Sequence, residues 1–377
     1  MHAGAAGSPP TAAAAAAGPF RLEPFRGLSL AAHRVGDPAS ARAFARPYRQ
    51  VAQRLRRWER GGHVTRDPEP ALYLHEYTSG GLTVRGLVGA LDVSRRASDP
   101  DDRVVLPHEG VHDAQAEELA ARMAEMQLNP APILLVHRGP ARARALVHQV
   151  MAGTPDHEFV DRAERHNRIW SIREPGVLGE LAAHLLDSRP LIADGHHRYA
   201  AYLRLQEQRP GTSADHGLAM LVDQDDTPLF LGAIHRTLTR TTLEDMATAS
   251  EGLGELVLTT EPAAMAALGP STLVVTDGIG WARLELTVAG DHAAVEVLHQ
   301  HLIPRLPGRR PTVGYHHSAE DTLARVATGR GVAVLMPAPD FDLVDRIVCD
   351  HRLLPEKATS FQPKPSIGVL MRSLLDG

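Results

Sequence analysis

The chain has 377 residues, which at ~150 residues per domain sets an expectation of two or three domains. Hydrophobic residues make up 43% and charged residues 23%, a balance that excludes a disordered or fibrous chain. Forty basic residues against 45 acidic ones leave a formal charge of −5, a poor match to nucleic-acid phosphates, and no apolar run approaches the ~18 residues of a membrane span.

The first nineteen residues are alanine-rich, punctuated by Gly and Pro, and hold no Lys or Arg. They lack the basic start and strongly apolar middle of a secretory signal, so residues 1–19 are expected to be a disordered tail and the chain cytoplasmic. A core domain is expected over 20–240. Residues 39–60 read as a helix stopped by Gly61-Gly62. Residues 71–77 and 82–93 read as two strands joined at Ser79-Gly80-Gly81, a hairpin. A short apolar strand at 104–106 is ended by Pro107. Asp113 is placed to cap a helix to Gln127, with Ala116, Leu119, Met123 and Met126 on one buried face. A strand follows at 133–136, and 139–189 alternates weak helical patterns with polar linkers. Residues 191–193 form a buried strand and 199–208 a helix, with further strands at 218–222 and 229–234. A second α/β unit is expected over 241–377, with strands at 272–275, 282–288 and 332–336 and helices at 293–303, 319–327 and 343–350. Its close, 354–365, reads as irregular. Cys349 has no second cysteine for a disulfide, and it reads as packing in an apolar helix.

The strongest chemical signal is Asp194-Gly195-His196-His197-Arg198, set between a buried strand and a helix. The free N–H groups and dipole of a helix start attract an anion. Gly195 can take a positive φ and let the backbone approach a ligand. Arg198 can grip phosphate oxygens with two donors, and His196 and His197 add ring N–H groups. Asp194, at the strand end, is suited to a Mg²⁺ ion or a substrate hydroxyl.

Residues 192–202 resemble the phosphate loop of the ParB/sulfiredoxin superfamily, in which free serine kinases carry the same Asp-Gly-His-His-Arg. Over about 24–377 the chain is similar to the domain-of-unknown-function 1015 family (DUF1015). The similarity rests on Pro24-Phe25-Arg26-Gly27, Trp58, Tyr73, Leu106-Pro107-His108-Glu109, the loop with Tyr199, His235-Arg236, and Pro355, Lys357, Phe361 and Pro363-Lys364. The resemblance implies a mixed α/β (α+β) fold with a ParB/sulfiredoxin-like core and a second α/β unit. It implies transfer of phosphate from ATP or ADP, with Mg²⁺, to the hydroxyl of free serine or a similar small compound. Glu109 would be the base or metal-positioning carboxylate, in a catalytic set with Asp194 and His197. Gly195, His196, His197, Arg198, Lys357 and Lys364 would bind phosphate. His108, His235 and Arg236 would line the pocket, and Glu109 and Asp194 would hold the metal. Two departures point to a changed acceptor or lost activity: Arg49 stands where the family has an aspartate, and Gly110-Val111 follow Glu109 where Arg-Thr is usual.

Other patterns carry less. His108-Glu109-Gly110-Val111-His112 matches the zinc-protease string, yet Pro107 and Gly110 make it a loop. Sulfiredoxin chemistry needs a loop cysteine where His196 stands. Tyr315-His316-His317 read as structural, with Ser318 as a helix cap, and Arg54, Arg56 and Arg57 as a solvated face. The partners expected are a nucleotide and a small-molecule substrate, with no nucleic acid and no membrane. The rival readings are a non-catalytic nucleotide-binding regulator of the ParB type and a metal-dependent hydrolase.

Overall fold

The computed structural model describes residues 14–45, 51–287, 292–327 and 331–376. The chain divides into two compact units, one of Met1–Pro107, Val111–Leu229 and Pro363–Gly377, the other of His108–Gly110 and Phe230–Gln362. Both mix helices with sheets, in keeping with the mixed α/β class. The units do not part at residue 240. Strand His235–Thr239 pairs inside the second unit's sheet, and the last fifteen residues, 363–377, return to the first.

The first unit is built on a sheet whose strands lie in the order Leu191–Asp194, Ile133–His137, His216–Asp223, Leu82–Asp92, Leu72–Ser79, His166–Ile172, His157–Val160. Only the pairing of His216–Asp223 with Ile133–His137 is parallel. The expected hairpin is present. Gly80 and Gly81 both take positive φ, 57° and 80°, the conformation that a two-residue turn between twisted strands requires. The expected strand at 104–106 reduces to one bridge, Leu106 to Leu191. Leu74, Leu91, Ile133, Leu135 and Ile192 are buried in the core, against Tyr199 and Tyr202 of helix His196–Gln208. This helix packs on Asp113–Met126, whose Ala116, Ala120, Met123 and Met126 are buried at helical spacing. His112, not Asp113, is the cap residue there.

The C-terminal return has a physical cause. Strand Met371–Ser373 lies between Gly27–Leu30 and Leu128–Asn129 in a small separate sheet. Arg372 is buried and donates to Asn129 Oδ1 at 3.2 Å and to the carbonyls of His216 (2.9 Å) and Ser213 (2.7 Å). Three acceptors offset the desolvation of one cation.

The expected tail also differs. Residues 1–13 lie outside the described residues, but from residue 14 the chain docks. Ala15 and Ala16 are buried, Ala16 and Ala17 bridge to Arg96 and Arg103, and the Ala16 N–H donates to Tyr199 Oη at 2.7 Å.

In the second unit six antiparallel strands run in the order Gly254–Thr259, Trp281–Leu286, Thr272–Thr276, Gly331–Leu335, His235–Thr239, Val313–His316. The strand expected at 229–234 shortens to Phe230–Gly232, and a second strand, His235–Thr239, follows it. Phe230–Gly232 pairs with Ser360–Gln362, inside the stretch expected to be irregular, and His235–Thr239 joins the large sheet. The helix expected at 293–303 contains a π-helical turn over Val297–Leu302. Cys349, expected to pack, is exposed at the end of helix Phe341–Cys349.

Tyr199→Phe removes the acceptor of the buried Ala16 N–H while keeping the ring. We expect a loss of about 1–2 kcal/mol in urea unfolding, with faster amide exchange at Ala16.

Candidate functional site

Strand Leu191–Asp194 delivers Asp194 to a turn at Gly195, which sits at φ 101° and ψ 30° as the cap residue of helix His196–Gln208. A Cβ there would lie 2.9 Å from Ile133 Cγ2 and 3.1 Å from the Arg198 guanidinium, so both conformation and space demand glycine. The helix starts three residues earlier than expected. His196, His197 and Arg198 form its first turn, and no side chain caps that end.

Asp194 is half-buried and gathers two cations. Arg198 Nη2 donates to Oδ2, and Lys364 Nζ donates to Oδ1. Burial pushes its carboxyl up, but Arg198 and Lys364 outweigh that and hold it below the ordinary carboxylate range. Arg198 Nη1 reaches the carbonyls of Ala131 (3.4 Å) and Pro132. Thus the guanidinium turns back across the turn. His197 Nε2 accepts from the His112 N–H at 3.1 Å, and the two rings stack at 6.0 Å. A ring with Nε2 accepting carries its proton on Nδ1 when neutral, which is the donor form expected of His197.

Lys364 is held from behind by residues that sequence patterns did not single out. Tyr77 Oη donates to the Pro363 carbonyl at 2.6 Å, and Arg165 Nη1 donates to the Lys364 carbonyl and to Ser366 Oγ at 3.3 Å. Ser366 Oγ donates to Asp161 Oδ2 at 2.6 Å, and Asn167 beside it bonds His75 Nε2 at 3.0 Å. Tyr77, His75, Asn167 and Asp161 are buried, and burial pushes the His75 pKa down to about 4, which keeps it neutral at pH 7.

The remaining expected residues belong to the second unit. Glu109 Oε1 accepts from the N–H groups of Ala358 (3.0 Å) and Thr359 (3.4 Å). His108 Nε2 and Thr359 Oγ1 are 2.6 Å apart. Arg236 is fully buried, and its Nε donates to His299 Nε2 at 3.0 Å. His235 is buried with Nδ1 accepting from the Met336 N–H at 3.0 Å, and burial, then the Arg236 charge, pushes its pKa down to about 4. His235 and Arg236 therefore build the unit's interior instead of lining an open pocket. The Lys357 side chain is exposed, while its backbone takes a positive φ of 58°. His299 and Tyr315 were not foreseen around Arg236, because a π-helical turn leaves no mark in a helical-looking run. Of the zinc-like string, His108 falls in one unit and His112 in the other. Arg49 lies outside the described residues, and Gly110 follows Glu109 in the second unit.

Asp194 gives both oxygens to cations, and Glu109 gives one to two amides. Among the described residues no group of three or more His, Cys, Asp or Glu is gathered to hold a metal. The residues present do not fit a dedicated Mg²⁺ site of oxygen donors.

Three comparisons bear on this arrangement. A family model described as a protein of unknown function (DUF1015) matches residues 21–285. No curated protein matches the chain. Among solved structures, the chain resembles a free serine kinase mutant in complex with ADP (14% identity, 76% of this chain and 92% of that one, TM-score 0.42). It also resembles SbnI with a C-terminal truncation from Staphylococcus aureus (11%, 76% and 88%, TM-score 0.45). A conserved hypothetical protein from Pyrococcus furiosus is similar too (15%, 77% and 96%, TM-score 0.42).

Asp194→Asn keeps the shape and removes the charge that both cations share. We expect a loss of roughly 1–2 kcal/mol at pH 7, discounted for solvent screening at the Lys364 end. The folded carboxyl titrates below its unfolded value of 3.8, so its contribution is full above that value and fades as pH falls through the folded one. Urea unfolding of both proteins should therefore differ at pH 7 and pH 5 and converge towards pH 2.

Proposed function

Because the chain belongs to the DUF1015 family, we propose that it is a small-molecule kinase. It binds a nucleotide at the Gly195 turn and passes a phosphoryl group to the hydroxyl of serine or a similar compound. One observation carries this reading. A helix of thirteen residues starts uncapped at a left-handed glycine, with two cations held at its mouth by a single carboxylate. Phosphate is a stronger, more highly charged acceptor than that carboxylate. It can draw Arg198 and Lys364 from Asp194 while lying against the uncapped first turn of the helix. Gly195 keeps side-chain atoms out of the way, and the His197 Nδ1–H adds a donor.

The charge that builds on the moving phosphoryl group is assigned to Arg198, Lys364 and the helix amides, and no step runs through a metal. Glu109 is assigned the acceptor. A hydroxyl is a weak nucleophile at neutral pH, and a fixed carboxylate orients it and takes its proton as the new P–O bond forms and the bond to the leaving phosphate breaks. Two amide donors fix that carboxylate's direction.

The test mixes the purified full chain with ATP or ADP and a panel of hydroxy amino acids, with and without Mg²⁺, and reads product by phosphorus NMR. The expected result is one phosphorylated hydroxy compound. Glu109→Gln should cut its rate by about 100-fold with nucleotide affinity kept. Tight nucleotide binding with no product from any acceptor would replace the kinase by a ParB-type regulator, and no nucleotide binding would end both readings.

A further inference from the structure

Among the described residues Arg236 is the largest fully buried side chain, and its hydrogen bonds go mainly to a short stretch of backbone. It comes from strand His235–Thr239. Its guanidinium lies 4.8 Å from the centre of the Tyr315 ring, donates to His299 Nε2 at 3.0 Å and bonds the Ile234 carbonyl. Nη2 donates to the Lys357 carbonyl at 2.8 Å and the Glu356 carbonyl at 3.5 Å. Burial pulls its pKa down to about 10, so it stays charged at neutral pH.

The Lys357 carbonyl and the Ala358 N–H belong to one peptide group. Arg236 bonds the oxygen of that group, and Glu109 Oε1 accepts from its N–H at 3.0 Å. A single peptide is thus held between a cation and a carboxylate, each polarising it in the sense that strengthens the other's hydrogen bond. The positive φ of Lys357, 58°, is an uncommon conformation for a residue with a side chain. It persists where surrounding bonds fix it. The next amide, Thr359, donates to the same Glu109 oxygen at 3.4 Å, and Thr359 Oγ1 meets His108 Nε2 at 2.6 Å.

We propose that Arg236 is a positioning residue for Glu109, acting through the 357–358 peptide. This rests on the reading of Glu109 as the group that orients the acceptor. The role predicts that Arg236 sets turnover and leaves nucleotide affinity alone.

The experiment compares wild type, Arg236→Met, Arg236→Lys and Tyr315→Leu, the last keeping the cation in case Arg236→Met does not fold. Site-resolved amide exchange is read at Ala358 and Thr359 against strand Gly331–Leu335, beside steady-state transfer kinetics. In Arg236→Met, exchange at the two amides should rise about tenfold with the strand unchanged, and kcat should fall about tenfold at constant KM for nucleotide. Arg236→Lys should recover part of both, and Tyr315→Leu should show a smaller rise at the same amides. Unchanged exchange at Ala358 and Thr359, or an equal rise across the strand, would overturn the proposal. A wild type that transfers no phosphate would instead defeat the kinase reading, and the exchange result would still decide the role of Arg236.

Discussion

The first unit's chemistry depends on one interaction, the double ion pair in which Asp194 holds Arg198 and Lys364. The three residues reach it by different routes. Asp194 ends a strand, Arg198 lies one helical turn further on, and Lys364 arrives from the C-terminal return. Removing Asp194 leaves two cations facing each other, and removing either cation leaves the carboxylate with one ion pair instead of two. That is why the strand end, the glycine turn and the return must coexist. It also explains why the backbone around Lys364 is bonded so heavily, by Tyr77, by Arg165 and by the buried chain from Ser366 to His75. A flexible lysine is worth little as a ligand unless its own backbone is fixed.

The second unit solves a comparable problem with backbone. Glu109 sits on a tripeptide that joins this unit by a bridge to Leu354 and by the amides of 358 and 359. A carboxylate held by amides is aimed without being neutralised, whereas one held by two cations is largely neutralised. The two acidic residues expected to share one role therefore live in different electrostatic settings. Asp194 is held by two cations, and Glu109 by two backbone amides with His108 Nε2 3.6 Å from its Oε1. On the proposed reading, phosphate chemistry belongs to the turn and proton chemistry to Glu109.

Local patterns were legible and long-range ones were not. The hairpin at Gly80-Gly81, the Asp113–Met126 helix and the strand–glycine–helix turn all announce themselves within a few residues, through turn chemistry and apolar spacing. The start of the turn's helix slipped by three residues, because a glycine cap leaves no capping side chain to read. The unit boundary was hidden because it depends on pairings far apart in sequence, such as Met371–Ser373 with Gly27–Leu30. The buried setting of His235 and Arg236 was hidden for the same reason. An Arg after a strand looks solvated until a π-helical turn supplies His299 and a distant strand supplies Tyr315. The docking of Ala15 and Ala16 was masked by alanine-rich composition, which resembles a tail but also fits tightly packed ground.

The claim at the centre is that the turn at Gly195 recognises phosphate with the cations Asp194 keeps in reserve. Calorimetric titration of the full chain with ADP and with adenosine tests it most directly. The account predicts ADP binding at least 100-fold tighter than adenosine, about 2.7 kcal/mol, with the gap narrowing in Lys364→Ala. Equal affinity for the two, or a gap that Lys364→Ala leaves intact, would contradict it.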